Sequence, residues 1–409
     1  MVRAVALRIM IYFLAEHLDS PDGASRAARD FLDGLLELGQ DVVVVTLDPP
    51  HAPGVRPEWP ASLRRWIVAP EKPVRPAAGA SPRQWLRWGR LLFRYIRRSA
   101  RGLHALRSCP PEVAIHNEFP YPGSFAHLVL HRATRRLIFV HSTPECIAHY
   151  LRRRKVLTVD SVSQELAGMH GLLFVSPQLR DAWSALAPIA GIPQWVLSNT
   201  CREADAAEVL SCERGQLRES LGMPHDAFIV VCVGFVHDGK GQDTIVSALP
   251  EMVRLRPDLL VVFVGADHSE WAGKLKEQIA ALGLASHARF AGRRRDPYRF
   301  IRAADLMIHP SRTEGQGLVL LEAMLLHTPV LASNVGGIPF VINDGETGLL
   351  MPPSDPEALL ERFQRLAADP NLRAELADRA EQSYWRRFSR RQHSRTLETL
   401  TRAILTEAQ

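Results

Sequence analysis

Cysteine is scarce: five occur in 409 residues (Cys109, Cys146, Cys201, Cys212 and Cys232), an odd number with no CxxC pair. That excludes a disulfide framework or a thiolate zinc site as the organising device and fits a reducing cytoplasm. Long apolar runs are also missing, since no stretch approaches the roughly 18–20 residues that a membrane helix needs. The run Ile9–Ala15 has no small-residue cleavage pattern and leads into an acidic turn at Glu16–Asp22. It reads as a first buried strand, not as a leader. There is no internal repeat or low-complexity tract, and no Asp/His cluster has ligand spacing; no metal or other cofactor is expected, since backbone amides and a lysine can take the role a cation would play.

Acid is absent from one long segment. Pro73–Pro111 holds nine arginines and neither Asp nor Glu, in a chain whose net charge is only +6. The basic character therefore belongs to that segment, and the protein is not a general polyanion binder. Nothing resembles a nucleic-acid module, and no nucleic-acid partner is expected.

What is present is globular in composition and long enough for two cores. Strand-like runs alternate with helical patterns: Ile9–Ala15, a helix near Ser25–Leu38, Asp41–Leu47, Val113–His116, Leu137–His141 and Gly171–Val175. This alternation predicts βαβ units and a parallel sheet. Residues 200–224 are polar and read as a linker with a short helix near Gln216–Leu221. A second series follows at Phe228–Val236, Leu259–Gly265, Ala288–Ala291, Asp305–His309, Pro329–Ser333 and Gly348–Met351. The expected class is α/β with two doubly wound, Rossmann-like domains: 1–199, a linker at 200–224, 225–373, and a helical tail at 374–409 with Trp385 and Phe388 as apolar anchors.

The chemistry concentrates in "SRTEGQGLVLLEAMLLHTPV", Ser311–Val330. The loop at Ser311–Gly317 follows a strand, and ligands of open α/β sheets sit outside the carboxyl ends of strands. Gly315 and Gly317 let backbone approach a ligand. The helix opening near Leu318 offers free N–H groups and a positive dipole end to a phosphate. Glu314 and Glu322, eight residues apart, can each accept from a pair of vicinal hydroxyls. The bland alternative is that Glu314 caps the helix and Glu322 is solvated on its outer face. In Val233–Gly241, "VGFVHDGKG", Lys240 can neutralise a diphosphate or serve only as a surface lysine. Paired Gly336 and Gly337 after the strand Pro329–Ser333 mark another close backbone approach.

In this order and spacing the motifs resemble the GT-B glycosyltransferases, specifically retaining family 4 (glycosyl transferases group 1). The matching residues are Gly234, Lys240 and Gly241; Asp305, Pro310 and Ser311; Glu314 and Glu322; and Pro329–Gly337 with Gly345 and Gly348. The resemblance is specific over about Ile229–Pro353 and looser before it. It implies two domains facing across a cleft, with a last helix crossing back to the first. It implies a nucleoside diphosphate sugar as donor, with Glu314 at the sugar, Glu322 at the ribose, and Gly315, Gln316, Gly317, Leu318 and Val319 holding hydroxyls and diphosphate. Arg293 is implied near the base, Gly23 in the first loop and His141 near the donor sugar. A lone histidine at a strand end is otherwise a structural residue. The catalytic set is therefore Glu314, His141 and Lys240.

Some positions depart from the family pattern. Phe235 stands where an arginine usually pairs with the lysine, and Phe340 where a glutamate follows GGxP. Asn199–Thr200 replaces an NG pair, and the first loop keeps only Gly23.

Taken as a helix at about 100° per residue, Arg83–Arg101 places Arg83, Arg87, Arg90, Arg94, Arg97, Arg98 and Arg101 within an arc of about 100°. Trp85, Leu86, Trp88, Leu91, Leu92, Phe93, Tyr95 and Ile96 occupy the other side. An acid-free arginine face beside Trp85 and Trp88 suits an anionic membrane or a phosphorylated acceptor. A simple packing helix is the alternative.

The expected function is retaining transfer of a sugar to an acceptor hydroxyl, by a front-side or a double-displacement route. A lipid-linked or cell-envelope glycan is the expected acceptor, which puts the chain in the cytoplasm, peripheral at the inner membrane face. A soluble small-molecule acceptor, a sugar-nucleotide epimerase and a non-catalytic partner are the rivals.

Overall fold

The computed structural model describes residues 10–15, 23–46, 64–67, 76, 81–90, 92–93, 112–118, 130, 133–146 and 159–406. Two wholly parallel sheets dominate them. The first runs in the order β3-β2-β1-β4-β5-β6-β7, with β1 Met10–Ala15, β2 Asp41–Thr46, β3 Arg64–Ile67, β4 Val113–Asn117, β5 Arg135–Val140, β6 Gly171–Phe174 and β7 Gln194–Val196. The second runs in the order β10-β9-β8-β11-β12-β13. Its strands are β8 Phe228–Val233, β9 Leu259–Val264, β10 Ala288–Gly292, β11 Leu306–His309, β12 Val330–Ser333 and β13 Leu349–Met351.

Strands covered on both faces have no polar side to display, so β8 (FIVVCV) is an unbroken apolar run, buried throughout. Edge strands are less legible. β3 (RRWI) and β7 (QWV) are short and mix charge or amide with aromatic residues. Hydrophobic patterning alone does not predict them.

In each sheet the chain order reverses once, between β1 and β4 and between β8 and β11. Crevices open at the carboxyl ends of strands at such switch points. Helix α1 (Gly23–Glu37) follows β1, and the Leu318–Leu325 helix follows β11. Both therefore begin at a switch-point crevice. Helix α1 buries Ala27, Ala28, Phe31, Leu32 and Leu35 in the first core, the stripe of an amphipathic helix.

The segment expected as a linker with one short helix carries two and packs on the second sheet. Residues 200–224 carry helices Glu203–Leu210 and Arg214–Ser220. Their Ala206, Val209 and Leu217, with Cys201 and Leu221, belong to the core of the second sheet. A few apolar residues among many charges hide this packing from a composition reading.

The tail is divided. The Pro370–Arg387 helix stays on the second sheet, where Tyr384 and Phe388 are buried. The Arg390–Thr406 helix crosses to the first, burying Leu397, Leu400 and Ile404 in its core. Gly34 of α1 makes room there, because a Cβ on it would lie 2.5 Å from Leu397 Cδ2. The crossing is as expected but the anchors differ. Trp385 is 48% exposed, and Phe388 packs edge-on against Phe340 of the second domain.

Candidate active site

The loop after β11 meets the other domain directly. A Cβ on Gly315 would sit 1.9 Å from His141 O, so glycine here serves contact between the two domains. Ser176 Oγ donates to Gly315 O at 2.7 Å, and Asn199 N donates to Gln316 Oε1 at 2.8 Å. Gly336 and Gly337 are likewise consumed by backbone, with Glu314 O and Gly315 O about 2 Å from where their Cβ atoms would stand. The expected reason for these glycines, approach to a ligand, gives way to tight backbone packing that fixes the loop. Gly317 then opens the Leu318–Leu325 helix at φ 87°, a conformation that favours glycine.

Two charged clusters lie in this crevice. In the first, Lys240 Nζ is 2.5 Å from Glu314 Oε2, and His309 Nε2 is 3.0 Å from the same oxygen. Ser311 Oγ lies 3.1 Å from His309 Nε2. Burial by itself would raise the Glu314 pKa, but Lys240 and the His309 hydrogen bond outweigh it and hold the carboxyl well below its usual range. Burial lowers the pKa of His309, so it is neutral and its Nε2–H donates a hydrogen bond to the Glu314 carboxylate. Glu314 is thus a tethered carboxylate and not a helix cap, since no side chain caps the Leu318–Leu325 helix.

The second cluster spans the crevice. Arg26 Nη2, in the first turn of α1, donates to Glu322 Oε1. Glu322 is wholly buried, which removes the reading of a solvated outer-face residue. Burial raises its pKa and Arg26 opposes the rise. Asp30, one turn along α1, is pushed up to about 6 by burial, against the pull of Arg26.

Other expected residues fall at varied distances from these clusters. Gly23 opens α1, while Asp22 of the first loop lies outside the described residues. Gly234 follows β8 at φ 151° and faces the Lys240 stem. Leu318 is buried and Val319 half-buried in the first turn of their helix, whose backbone is what matters for an anion. Arg293 is exposed beyond β10, an edge strand of the second sheet. His141 is held at the end of β5 by Asn117 Oδ1 at 2.8 Å and by Glu118 Oε1, which accepts its backbone N–H at 3.1 Å. Asp305 of the motif is turned away from the crevice, bonding Arg214, Arg218 and the N–H of Ile229, each at 2.7 Å. Its work is to lock a helix and β8 to the start of β11.

Phe235 packs at a tilt against His237 and His268, with ring centroids 5.3 and 5.7 Å away. Phe340 packs on the tail, under Arg387. Around the arginine-rich segment, residues 82–90 are helical, with Arg83, Arg87 and Arg90 exposed. Trp85 and Trp88 meet edge to face at 5.7 Å, while Leu86 and Phe93 are each 65% exposed. Arg94, Arg97, Arg98 and Arg101 lie outside the described residues.

Sequence reasoning overlooked His309 and Ser176 as site residues, and it offered Arg26 only as an alternative cation for the diphosphate, not as a partner of Glu322. The signals were faint: a histidine closing the apolar strand LMIH, and a cation and acid four apart on one face of α1.

The family model described as "Glycosyl transferases group 1" matches residues 213–383. A D-inositol 3-phosphate glycosyltransferase of Saccharomonospora viridis is 35% identical over 187 residues, which is 42% of this chain and 43% of that protein. The match thus spans less than half the length of this relative. Among solved structures, sucrose-phosphate synthase from Thermosynechococcus elongatus superposes with a TM-score of 0.77 at 22% identity, over 98% of this chain and all of that one. Anabaena HepE in complex with UDP-glucose does so at 0.72 and 20%, over 96% of this chain and all of that one. The chain has the two-domain GT-B fold, and its residues 213–383 match the glycosyl transferases group 1 model.

Proposed function

We propose that the protein is a glycosyltransferase that moves a sugar from a nucleoside diphosphate sugar to an acceptor hydroxyl, with retention at the anomeric carbon. One observation carries the reading: two carboxylates, each paired with a cation, converge where the switch points of the two sheets face one another. A sugar and a ribose each offer vicinal hydroxyls, and each carboxylate can accept from one such pair. Between them the Leu318–Leu325 helix presents its N-terminal N–H groups, suited to the diphosphate.

In this arrangement Lys240 neutralises charge on the departing diphosphate, and Glu314 orients the donor sugar while keeping Lys240 in place. His309 sets Glu314 from below. Fixed donors of this kind favour charge that develops in the transition state, because they need no reorganisation. Closure of the crevice excludes water and brings the acceptor hydroxyl to the anomeric carbon. His141, at the opposite wall, borders the donor sugar.

A soluble small-molecule acceptor is the better-supported choice, since the Saccharomonospora viridis relative is named for a phosphorylated inositol. A membrane-borne acceptor is the second reading, favoured by the exposed Leu86 and Phe93 beside Arg83, Arg87 and Arg90. The test is a thermal-shift panel of UDP-, GDP-, ADP- and dTDP-sugars, followed by product analysis with inositol phosphates and with glycolipid acceptors. A ligand at 100 times its dissociation constant stabilises by about 2.7 kcal/mol, easily seen. Donor hydrolysis without acceptor dependence, or conversion of the sugar nucleotide to an epimer, rules the transferase out.

A further inference from the structure

We propose that Arg26 is a positioning residue for nucleotide recognition, holding the Glu322 carboxylate across the crevice so that ribose hydroxyls are gripped only while the two domains are closed. The inference deepens the proposed function and rests on it.

Three observations support it. Glu322 is wholly buried on the second domain's side, while Arg26 belongs to α1 of the first. Oε1 of Glu322 accepts from Arg26, and Oε2 is buried without a hydrogen-bond partner. A buried carboxylate oxygen with no partner is costly, and such atoms call for a cause. A ribose hydroxyl admitted to the crevice and donating to Oε2 supplies the missing bond, and its neighbour can share Oε1.

Arg26 does more than fill space. A carboxylate shut away from water takes a proton unless a cation compensates it. Burial disfavours charge on Arg26, but Glu322 outweighs it and the guanidinium stays ionised. Opening the crevice withdraws the cation of one domain from the anion of the other. A nucleotide that needs the oriented anion therefore favours closure, and closure favours the nucleotide, as linkage requires.

The groups facing Glu322 are Arg26 from α1, Tyr298 from the Pro297–Ala303 helix and Cys201 from the connecting segment; Asp30 faces Arg26. Burial raises the pKa of both Tyr298 and Cys201, keeping them neutral, and Asp30 is ionised above about pH 6. A Glu322 stripped of its cation is therefore the group left to titrate, because burial raises its pKa and Arg26 no longer opposes the rise.

The experiment is calorimetry of the full chain with UDP, GDP, ADP and inorganic pyrophosphate, comparing wild type with Arg26→Gln, Arg26→Lys and Glu322→Gln. The Arg26→Gln variant should bind the preferred diphosphate on the order of 10-fold more weakly or worse, within the 5–150-fold range of such couplings. Its pyrophosphate affinity should stay within about 2-fold of wild type, and its nucleotide affinity should climb from pH 7 to 9 while that of wild type stays level. Arg26→Lys should restore part of the loss. Equal losses for pyrophosphate and nucleotide would make Arg26 a phosphate ligand and overturn the proposal, as would unchanged nucleotide affinity or a flat pH profile in Arg26→Gln. If wild type binds no nucleoside diphosphate, or Glu322→Gln binds it as well as wild type, the reading of the site itself falls.

Discussion

Lys240 and Glu314 form a 2.5 Å ion pair between the Asp238–Lys240 turn and the loop that follows β11. A neutral buried histidine, His309, supports the same carboxylate oxygen at 3.0 Å. The pair makes a prediction about turnover. Lys240→Ala should lower it on the order of 10²-fold, the usual loss for one transition-state donor. Glu314→Ala should cut turnover while leaving the affinity for free nucleoside diphosphate nearly intact, since its proposed contact is the sugar. Activity of Lys240→Ala within a few-fold of wild type would need another cation on the diphosphate. Arg312 is not available for that, because it is committed to Asp243 through bonds of 2.9 and 2.6 Å.

The same pair has a signature in acid. Glu314 titrates well below its ordinary 4.5 in the folded chain, so the unfolded chain binds more protons over that interval. Its stabilisation is present above about pH 4.5 and is lost as pH falls from there. Denaturant melts between pH 3 and 7 should therefore show a shallower acid decline for Lys240→Ala than for wild type. A parallel decline would refute the assignment.

Asp30 works in the opposite direction. Its pKa rises from 3.8 unfolded to about 6 folded. Stability is lost as pH climbs through that window, because the folded state binds more protons there. Asp30→Asn should remove the loss, gaining on the order of 1–3 kcal/mol at pH 7 relative to pH 4, by the equivalence of one pKa unit to 1.36 kcal/mol. Calorimetric melts of both proteins at the two pH values would measure it.

Asp305 should matter for folding and not for binding. It compensates Arg214 and Arg218 at once. Removing one member of a buried ionic cluster typically costs about 3–5 kcal/mol, so Asp305→Ala, in a cluster that is only partly buried, should cost less than that. Urea melts would read the loss. Nucleotide affinity of the folded fraction should be unchanged.

The tail prediction follows from where its apolar residues go. Leu397→Ala should cost about 2–5 kcal/mol and expose amides of the first sheet to hydrogen exchange while sparing the second. Trp385→Ala, at a half-exposed position, should stay within about 0.5 kcal/mol. Loss of protection in β8–β13 after Leu397→Ala would contradict the crossing.

The membrane reading rests on the 82–93 region. If its arginines meet an anionic surface, each contributes about 1 kcal/mol, and binding weakens with salt. Co-sedimentation with anionic vesicles should drop when Arg83, Arg87 and Arg90 become Gln or when Leu86 and Phe93 become Ser. Equal pelleting of variants and wild type would leave a soluble acceptor.

The strands β8, β9, β11 and β12 and the carboxylate spacing of Glu314 and Glu322 were legible in the sequence, because buried parallel strands are apolar runs and an eight-residue spacing is local. The parallel two-domain class followed from that alternation. Tertiary structure decided what local pattern cannot hold. Asp305, read as part of a binding motif, became a structural hub because Arg214 and Arg218 come back to it from 91 and 87 residues away. Gly315 and Gly337 were correctly marked as places of close approach, yet what approaches them is His141 O and Gly315 O. Arg26 and Glu322 are 296 residues apart, so no window of sequence pairs them. Burial, charge compensation and domain contact depend on which distant groups the fold brings together, and those determine how the candidate site is wired.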